Sequence, residues 1–249
     1  MAPSEWRAEI TVFEKSNGPL TKHIALCDGK IVNDSSACFM ANGVARRVKI
    51  ESVAAFAGLI NNFASNQAYA LGRLKNGVSD GARVVRRGKL NGAGDPSVIA
   101  RTKEYLVFND GEPGLVLLDI DFKGMPEATK RRIEECGGLW SALCEVLPAL
   151  KTVARVERAS TSSGLRNRET GEVFPGSGGC HTVIPVVDAT DIPRFLADFH
   201  DRCWLHGFGW GMVSAAGAFL ERSLVDKSCG SPERLIYEAA PILGPPLVA

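Results

Sequence analysis

The stretch LVLLDIDFKG, residues 115–124, places two aspartates in an otherwise apolar run. The apolar residues 115–118 predict a buried strand. Asp119 and Asp121 follow directly in the same strand, on either side of Ile120. A carboxylate is costly to bury unless another group compensates its charge. A core strand that carries two carboxylates, two residues apart, therefore needs a physical explanation.

The spacing of the two aspartates suggests one. Side chains at i and i+2 of a strand share a face and lie roughly 6–7 Å apart along the chain. A divalent cation between Asp119 and Asp121 would turn their repulsion into ligation, and Mg²⁺ or Mn²⁺ would suit carboxylate oxygens. Alternatively, both residues lie in water at the strand's end or cap a turn at the following Phe-Lys-Gly.

The composition indicates a globular intracellular protein. The chain has 249 residues, of which 45% are hydrophobic and 23% charged, as in ordinary globular domains. Its net charge of +1 means that any nucleic-acid binding must use a local patch. Seven cysteines without a CxxC pair, and no secretory signal, predict reduced thiols in the cytoplasm. No apolar run approaches the roughly 20 residues that span a membrane, so we expect no membrane contact.

The first hundred residues predict two strands and a helix. Strands are expected over 8–14 and 22–27, around the turn Ser-Asn-Gly-Pro. Apolar residues recur at helical spacing over 50–71, and Ser52 is a candidate N-cap. The segment 74–97 is rich in Gly, Asn and basic residues and is expected to be an exposed connection.

That basic connection allows two interpretations. It is either a solvated loop or an arm that contacts a nucleic-acid backbone. In the second case four cations would neutralise phosphates: Arg83, Arg86, Arg87 and Lys89.

The second half of the chain predicts alternating strands and helices. Strands are expected over 105–110, 114–122, 152–160, 179–188 and 233–243. Helices are expected over 126–150 with a break at Gly137-Gly138, over 192–208 with Asp191 as N-cap, and over 215–226. This alternation favours an α/β or α+β sheet covered by helices.

A glycine-rich bend precedes the strand predicted at 179–188. The stretch PGSGGCHTVIPV, residues 175–186, places His181 at the start of that strand, and Gly178 and Gly179 allow a ligand close approach. The imidazole could hydrogen-bond a phosphate oxygen, or it could be an ordinary core or surface histidine. His200 and His206 fit the ordinary role better.

A third carboxylate follows another apolar pair. Leu224 and Val225 precede Asp226, which could complete a set of acidic ligands from a separate strand. Alternatively, Asp226 caps the turn that follows it.

The three motifs occur in a recognisable order: LVLLDID (115–121), GCH (179–181) and LVD (224–226). This series resembles the catalytic core of the archaeo-eukaryotic primase superfamily, the primase-polymerases. The flanking stretches STSSGL (160–165) and SPERLIYEAAP (231–241) are similar to the primase-polymerase domains of bacterial mobile elements, plasmids and phages. The resemblance covers roughly residues 101–246.

This resemblance implies both a fold and a division of the chain. An RRM-like catalytic module with an antiparallel-containing sheet would span residues 101–249, fused to an N-terminal α/β module of residues 1–100. Together they would form one α+β primase-polymerase domain with the active site between its parts.

The resemblance also implies an activity. Asp119, Asp121 and Asp226 would bind Mg²⁺ or Mn²⁺, and His181 would contact the phosphates of the incoming nucleotide. The activity would be template-directed nucleotidyl transfer on a DNA template and primer, as primase, DNA polymerase or both, with NTP or dNTP substrates. Some members carry a fused helicase, so a fused or separate helicase is a further expected partner.

Further phosphate contacts are expected beside the GCH motif. Arg158, Ser160, Ser163 and Gly179 are the candidates, although a Ser-rich segment next to glycine is often simply a loop.

Two other functions remain open on the sequence. One is a non-catalytic replication protein that binds single-stranded DNA. The other is a metal-dependent nuclease or phosphoesterase that uses the same acidic residues.

Overall fold

The computed structural model describes residues 6–90, 95–120, 122, 124–161, 163–174, 179–214 and 216–249. Within these residues the chain forms four α-helices: α1 (Val53–Asn61), α2 (Glu127–Glu135), α3 (Leu139–Val146) and α4 (Ile192–Leu205). The strands in the same residues are β1 (Ala8–Lys15), β2 (His23–Cys27), β3 (Lys30–Asp34), β4 (Asn42–Ile50), β5 (Gln67–Ala70), β6 (Arg73–Leu74), β7 (Ala82–Val85), β8 (Val98–Ala100), β9 (Leu106–Val107), β10 (Gly114–Ile120), β11 (Val156–Ala159), β12 (Leu165–Asn167), β13 (Val173–Phe174), β14 (Cys180–Val186), β15 (Trp210–Val213), β16 (Phe219–Arg222), β17 (Ile242–Leu243) and β18 (Leu247–Val248).

The largest sheet has five strands in the order β5-β1-β4-β7-β8, antiparallel except for the β7–β8 pair. Its strand β1 is buried on both faces. Ile10 and Val12 belong to one hydrophobic cluster and Phe13 to another, so alternate residues of β1 pack into different cores. This explains why Phe13 breaks the otherwise regular alternation of apolar and polar residues in AEITVFE.

A second sheet carries the apolar run with its two aspartates. Strands β10, β14 and β11 are antiparallel, with β14 in the middle. Residues 115–118 of β10 are at most 1% exposed, which confirms the buried strand expected there. Asp119 is the first partly exposed residue after this run, so it lies where the strand leaves the core.

Several expected helix features are confirmed. Ser52 caps α1, since its side chain accepts a hydrogen bond from the Ala55 amide at 3.0 Å. Gly137 and Gly138 separate α2 from α3 with φ of 87° and 105°, values that glycine adopts without strain. Asp191 precedes α4, although its side chain makes no capping hydrogen bond.

Four expectations for the secondary structure are wrong. The helix over 50–71 ends at Asn61, because residues 67–70 form β5 and pair with β1. Where the structure describes it, over 216–226, the helix expected at 215–226 does not form, since β16 pairs with β15 in a hairpin. Residues 233–243 form no continuous strand, and only Ile242–Leu243 lie in one. The segment 74–97 is not simply a loop, because it contains the mostly buried strand β7.

The largest hydrophobic cluster draws on both halves of the chain. It contains residues of β1 and α1 together with residues of β10 and α2–α4. The architecture is thus mixed α+β, with several small sheets that are mainly antiparallel. The division at residue 100 stays a prediction. None of the helices in the described residues has the length and apolar character needed to cross a membrane.

Candidate functional site

Three of the expected site residues form one row across the second sheet. The register pairs Asp119 of β10 with His181 of β14, and His181 in turn with Arg158 of β11. Residues directly opposite one another in antiparallel strands project on the same face. The sheet therefore presents an acid, an imidazole and a guanidinium side by side.

Glu238 binds two members of this row and is itself 3% exposed. Its Oε1 lies 2.6 Å from His181 Nδ1, and its Oε2 accepts from Arg158 Nε at 3.1 Å. Arg158 also donates to Asn61 Oδ1, at the end of α1, at 2.7 Å. The buried carboxylate thus orients both cationic groups and ties the row to the N-terminal half of the chain.

The charge of His181 follows from these contacts. Burial lowers its pKa, but the hydrogen bond and charge of Glu238, with the charge of Asp119, outweigh that effect and raise the pKa above its usual value. His181 Nε2 lies 3.5 Å from Asp119 Oδ1, on the side away from Glu238. The imidazole therefore has one nitrogen held by Glu238 and the other directed towards Asp119.

Asp226 reaches the same place from a different part of the chain. Its backbone amide donates to the carbonyl oxygen of Asp119 at 3.2 Å. Its side chain also caps the following 3₁₀ turn, accepting from the Ser228 amide at 2.8 Å. The structure thus brings Asp226 beside Asp119 and gives it the capping role as well.

Arg234 lies between the two carboxylates. Its Nη2 is 3.4 Å from Asp119 Oδ2 and 3.3 Å from Asp226 Oδ2. One guanidinium nitrogen therefore neutralises part of the repulsion between two acids. A metal ion on these two oxygens would share them, or exchange them, with Arg234.

The donor atoms fit a hard divalent cation. One ligand atom each from Asp119, Asp226 and Cys229 lies within 4.8 Å of the others. Burial raises the pKa of the Cys229 thiol to about 12, so it stays protonated and would be a poor ligand for such a cation. Two carboxylates are the oxygen donors that Mg²⁺ and Mn²⁺ prefer.

Asp119 and Arg234 separate two cavities and line both. The larger, of about 260 Å³, is also lined by Asp226, Lys227 and Arg222. The smaller, of about 190 Å³, contains His181 with Lys22, Ser160, Thr161 and Tyr237. Asp119 is therefore accessible from two sides, whereas Asp226 lines only the larger cavity.

The remaining expected residues have varied positions. Ser160 lines the smaller cavity, and its amide donates to the Gly179 carbonyl at 2.8 Å. Ser163 follows in a turn, and its buried Oγ has no hydrogen-bond partner within the described residues. Arg158 lines neither of these two cavities and is held by Glu238 instead. Asp121 lies outside the described residues.

His200 has the structural role expected of it. It is 2% exposed, accepts from Trp204 Nε1 at 3.2 Å and has Ser223 Oγ 2.9 Å from its Nδ1. The first contact makes Nε2 an acceptor, so the proton resides on Nδ1. Its ring lies in the wall of the larger cavity.

Arg234 and Glu238 belong to the candidate site, but sequence reasoning does not find them. Both belong to the segment SPERLIYEAAP, whose apolar residues predict a strand. A signal is present, because a cation and an acid stand four residues apart among apolar neighbours. The partners of Glu238, and Asp119 as a partner of Arg234, lie more than 50 residues away along the chain and cannot be identified from local sequence.

Compared with known protein families, with curated proteins and with solved structures, the chain shows no match.

Proposed function

We propose that the protein is a nucleotidyltransferase that starts or extends a strand on a DNA template, as primase, DNA polymerase or both, using Mg²⁺ or Mn²⁺. The observation that carries the proposal is the meeting of Asp119 and Asp226 beside His181, from three separate segments. In this proposal the sheet β10-β14-β11 is the core of an RRM-like module.

The carboxylates of Asp119 and Asp226, with Asp121, would hold the metal ions. When bound, such ions neutralise the charge that develops as a hydroxyl attacks a phosphate and pyrophosphate departs. The protein's own part is to keep the two acids within reach of one another. The amide of Asp226, bonded to the backbone of Asp119, performs this without a side-chain contact.

The smaller cavity supplies groups suited to a triphosphate. Lys22 and Arg234 provide positive charge, and Ser160 and Thr161 provide hydroxyl donors. His181, whose pKa is raised, donates from Nε2 when protonated, while Glu238 fixes the ring through Nδ1. These contacts support NTP or dNTP as the substrate.

The cellular setting is a further part of the proposal. All seven cysteines are free thiols, which agrees with a cytoplasmic location. The proposed partners are a DNA template and primer, and a fused or separate helicase that opens the duplex, in replication of a mobile element, plasmid or phage.

The test is incubation of the protein with a primed template, dNTPs or NTPs, and Mn²⁺ or Mg²⁺. We expect extended primer, and loss of at least about 100-fold in rate for Asp226→Asn, since even supporting residues of metal sites contribute 10- to 100-fold. Asp198→Asn is the matched control, because Asp198 is an exposed acid of α4 that pairs with Arg194 on the same helix.

The alternatives give different products in the same tube. Shortened DNA would identify a nuclease, and DNA binding without any product would identify a non-catalytic replication protein. Normal extension by Asp226→Asn would contradict the metal assignment.

A further inference from the structure

Phe39 has an exposed aromatic ring, and two cationic side chains lie over that ring. The residue is 47% exposed, in the loop between β3 and β4. Lys15 Nζ lies 4.9 Å from the centre of its ring, and Arg86 Cζ lies 5.8 Å from it. Proteins that bind single-stranded nucleic acids combine aromatic rings, on which bases stack, with cations that contact the phosphates. Phe39 and its two neighbouring cations form such a combination.

The backbone beneath Phe39 is fixed. Lys15 Nζ donates to the carbonyl of Ala37 at 2.9 Å, and Tyr237 donates its hydroxyl to the carbonyl of Cys38. The ring is thus presented on a loop that is held by two separate segments of the chain. A ring that is already in position needs little further ordering when a base stacks on it.

Positive charge continues from Arg86. Arg87 and Lys89 follow it in a short 3₁₀ turn, and all three are exposed. Within the described residues, none of these three forms an ion pair with an acid. Near Cys38, two lysines, Lys15 and Lys22, act on the thiol together with one acid, Asp34. The area is therefore positive on balance although the whole chain is close to neutral.

The area is joined to the candidate site. Tyr237, which holds the loop of Phe39, also lines the smaller cavity with His181. Lys22 lines that cavity too, and its charge acts on both Cys38 and His181. A strand that leaves Phe39 past Lys22 would arrive at His181 and Asp119.

We propose that Lys15, Phe39, Arg86, Arg87 and Lys89, here called the Phe39 surface, bind single-stranded nucleic acid and lead it towards His181. The ring takes a base, and Arg86 stacks beside it or follows its phosphate. Arg87 and Lys89 contact the next phosphates. The direction towards His181 rests on the proposed function, whereas the binding itself does not.

The test measures binding alone. A fluorescent oligothymidylate of about 20 nucleotides, enough for one or two binding sites, is titrated with the full chain in EDTA without nucleotide, followed by anisotropy. Phe39→Ala should weaken binding about 10-fold, since stacking on an aromatic is worth roughly that much per base, and Phe39→Tyr should restore it. Phe219→Ala, which removes another exposed phenylalanine, should bind as the wild type does.

The charged half of the surface has its own signature. For single strands the slope of log K against log salt changes by about 0.7 for each phosphate that a cation neutralises, so Arg87→Ala with Lys89→Ala should make it shallower by about 1.4. Phe39→Ala should leave the slope unchanged, because stacking releases no counterions. Arg131→Ala, an exposed arginine of α2, is the charge control.

The outcomes separate this proposal from the catalytic one. The binding assay contains EDTA and no nucleotide, so a protein that binds through Phe39 without extending primers supports the surface and rejects the catalysis. An effect of Phe39→Ala below 2-fold, an equal loss in Phe219→Ala, or tighter binding of duplex than of single strand would each overturn the surface. The proposal would also be overturned if an acidic peptide displaced the labelled oligonucleotide as effectively as an equal concentration of unlabelled oligonucleotide does.

Discussion

Replacing Glu238 with glutamine tests how much the candidate site depends on one buried charge. The change keeps the size of the side chain and removes the charge that faces both His181 and Arg158. Removing one member of a buried ion pair costs about 3–5 kcal/mol. Arg158 and His181 are each 28% exposed, so water partly solvates what is left, and we expect the lower end, about 3 kcal/mol.

The assay is urea unfolding at pH 7, with thermal unfolding alongside. A loss of about 3 kcal/mol corresponds to a fall in Tm of about 6–12 °C for a chain of this size. The matched control is Glu157→Gln, because Glu157 lies in β11 next to Arg158 and forms an exposed pair with Arg155. That exposed pair should contribute no more than about 0.5 kcal/mol.

A double variant separates removal of the ion pair from loss of packing. Arg158→Leu in the Glu238→Gln background removes the cation that would otherwise remain without its partner. The double variant should be less destabilised than the sum of the two single variants by about 1.5 kcal/mol or more. If Glu238→Gln costs as little as Glu157→Gln, or the two changes at 158 and 238 add up without coupling, the assigned role of Glu238 is wrong.

Three further outcomes are expected. The pKa of His181 is raised above its value of about 6.5 in the unfolded chain. Its contribution to stability is therefore complete below about pH 6.5 and is lost as the pH rises through the pKa of the folded state. Urea midpoints measured in EDTA should show this loss, and Glu238→Gln should make it smaller. Because burial raises the pKa of Cys229 to about 12, a thiol reagent at pH 8 should label the exposed Cys27 and leave Cys229 unmodified until the protein unfolds, which peptide mapping would reveal. Gly43→Ala would place a Cβ 2.1 Å from the carbonyl oxygen of Glu14 and should cost about 3 kcal/mol in urea unfolding, whereas Gly58→Ala, with nothing near its Cβ in α1, should be neutral or stabilising.

The sequence predicts those elements whose identity is decided locally. The apolar run 115–118 can only be buried, and the glycine pair at 137–138 interrupts any helix, so both expectations are confirmed. Residues 67–70 have no such local signal. Their apolar pattern continues that of α1. They form a strand because they pair with β1, where Tyr69 lies opposite Val12. The hairpin β15–β16 likewise overrides a helical composition, with Gly217 at φ 80° in its turn.

The sequence likewise predicts some residues of the candidate site and misses others. The approach of Asp226 to Asp119 follows from the order of the three motifs once the resemblance is accepted. Glu238 and Arg234 are defined by what they touch, and those contacts exist only after strands distant in sequence have paired. Whether the acids hold metal ions stays a prediction.

The row of Asp119, His181 and Arg158 has a consequence for how the gene can vary. Side chains alternate between the two faces of a strand, so a deletion of one codon within β14 would turn the imidazole to the opposite side of the sheet and bring a neighbour such as Cys180 or Thr182 between the acid and the guanidinium. Glu238 would then face a thiol or a hydroxyl. Insertions and deletions in this strand should therefore be tolerated only in pairs of residues, whereas substitutions that keep the alternation should be accepted far more readily.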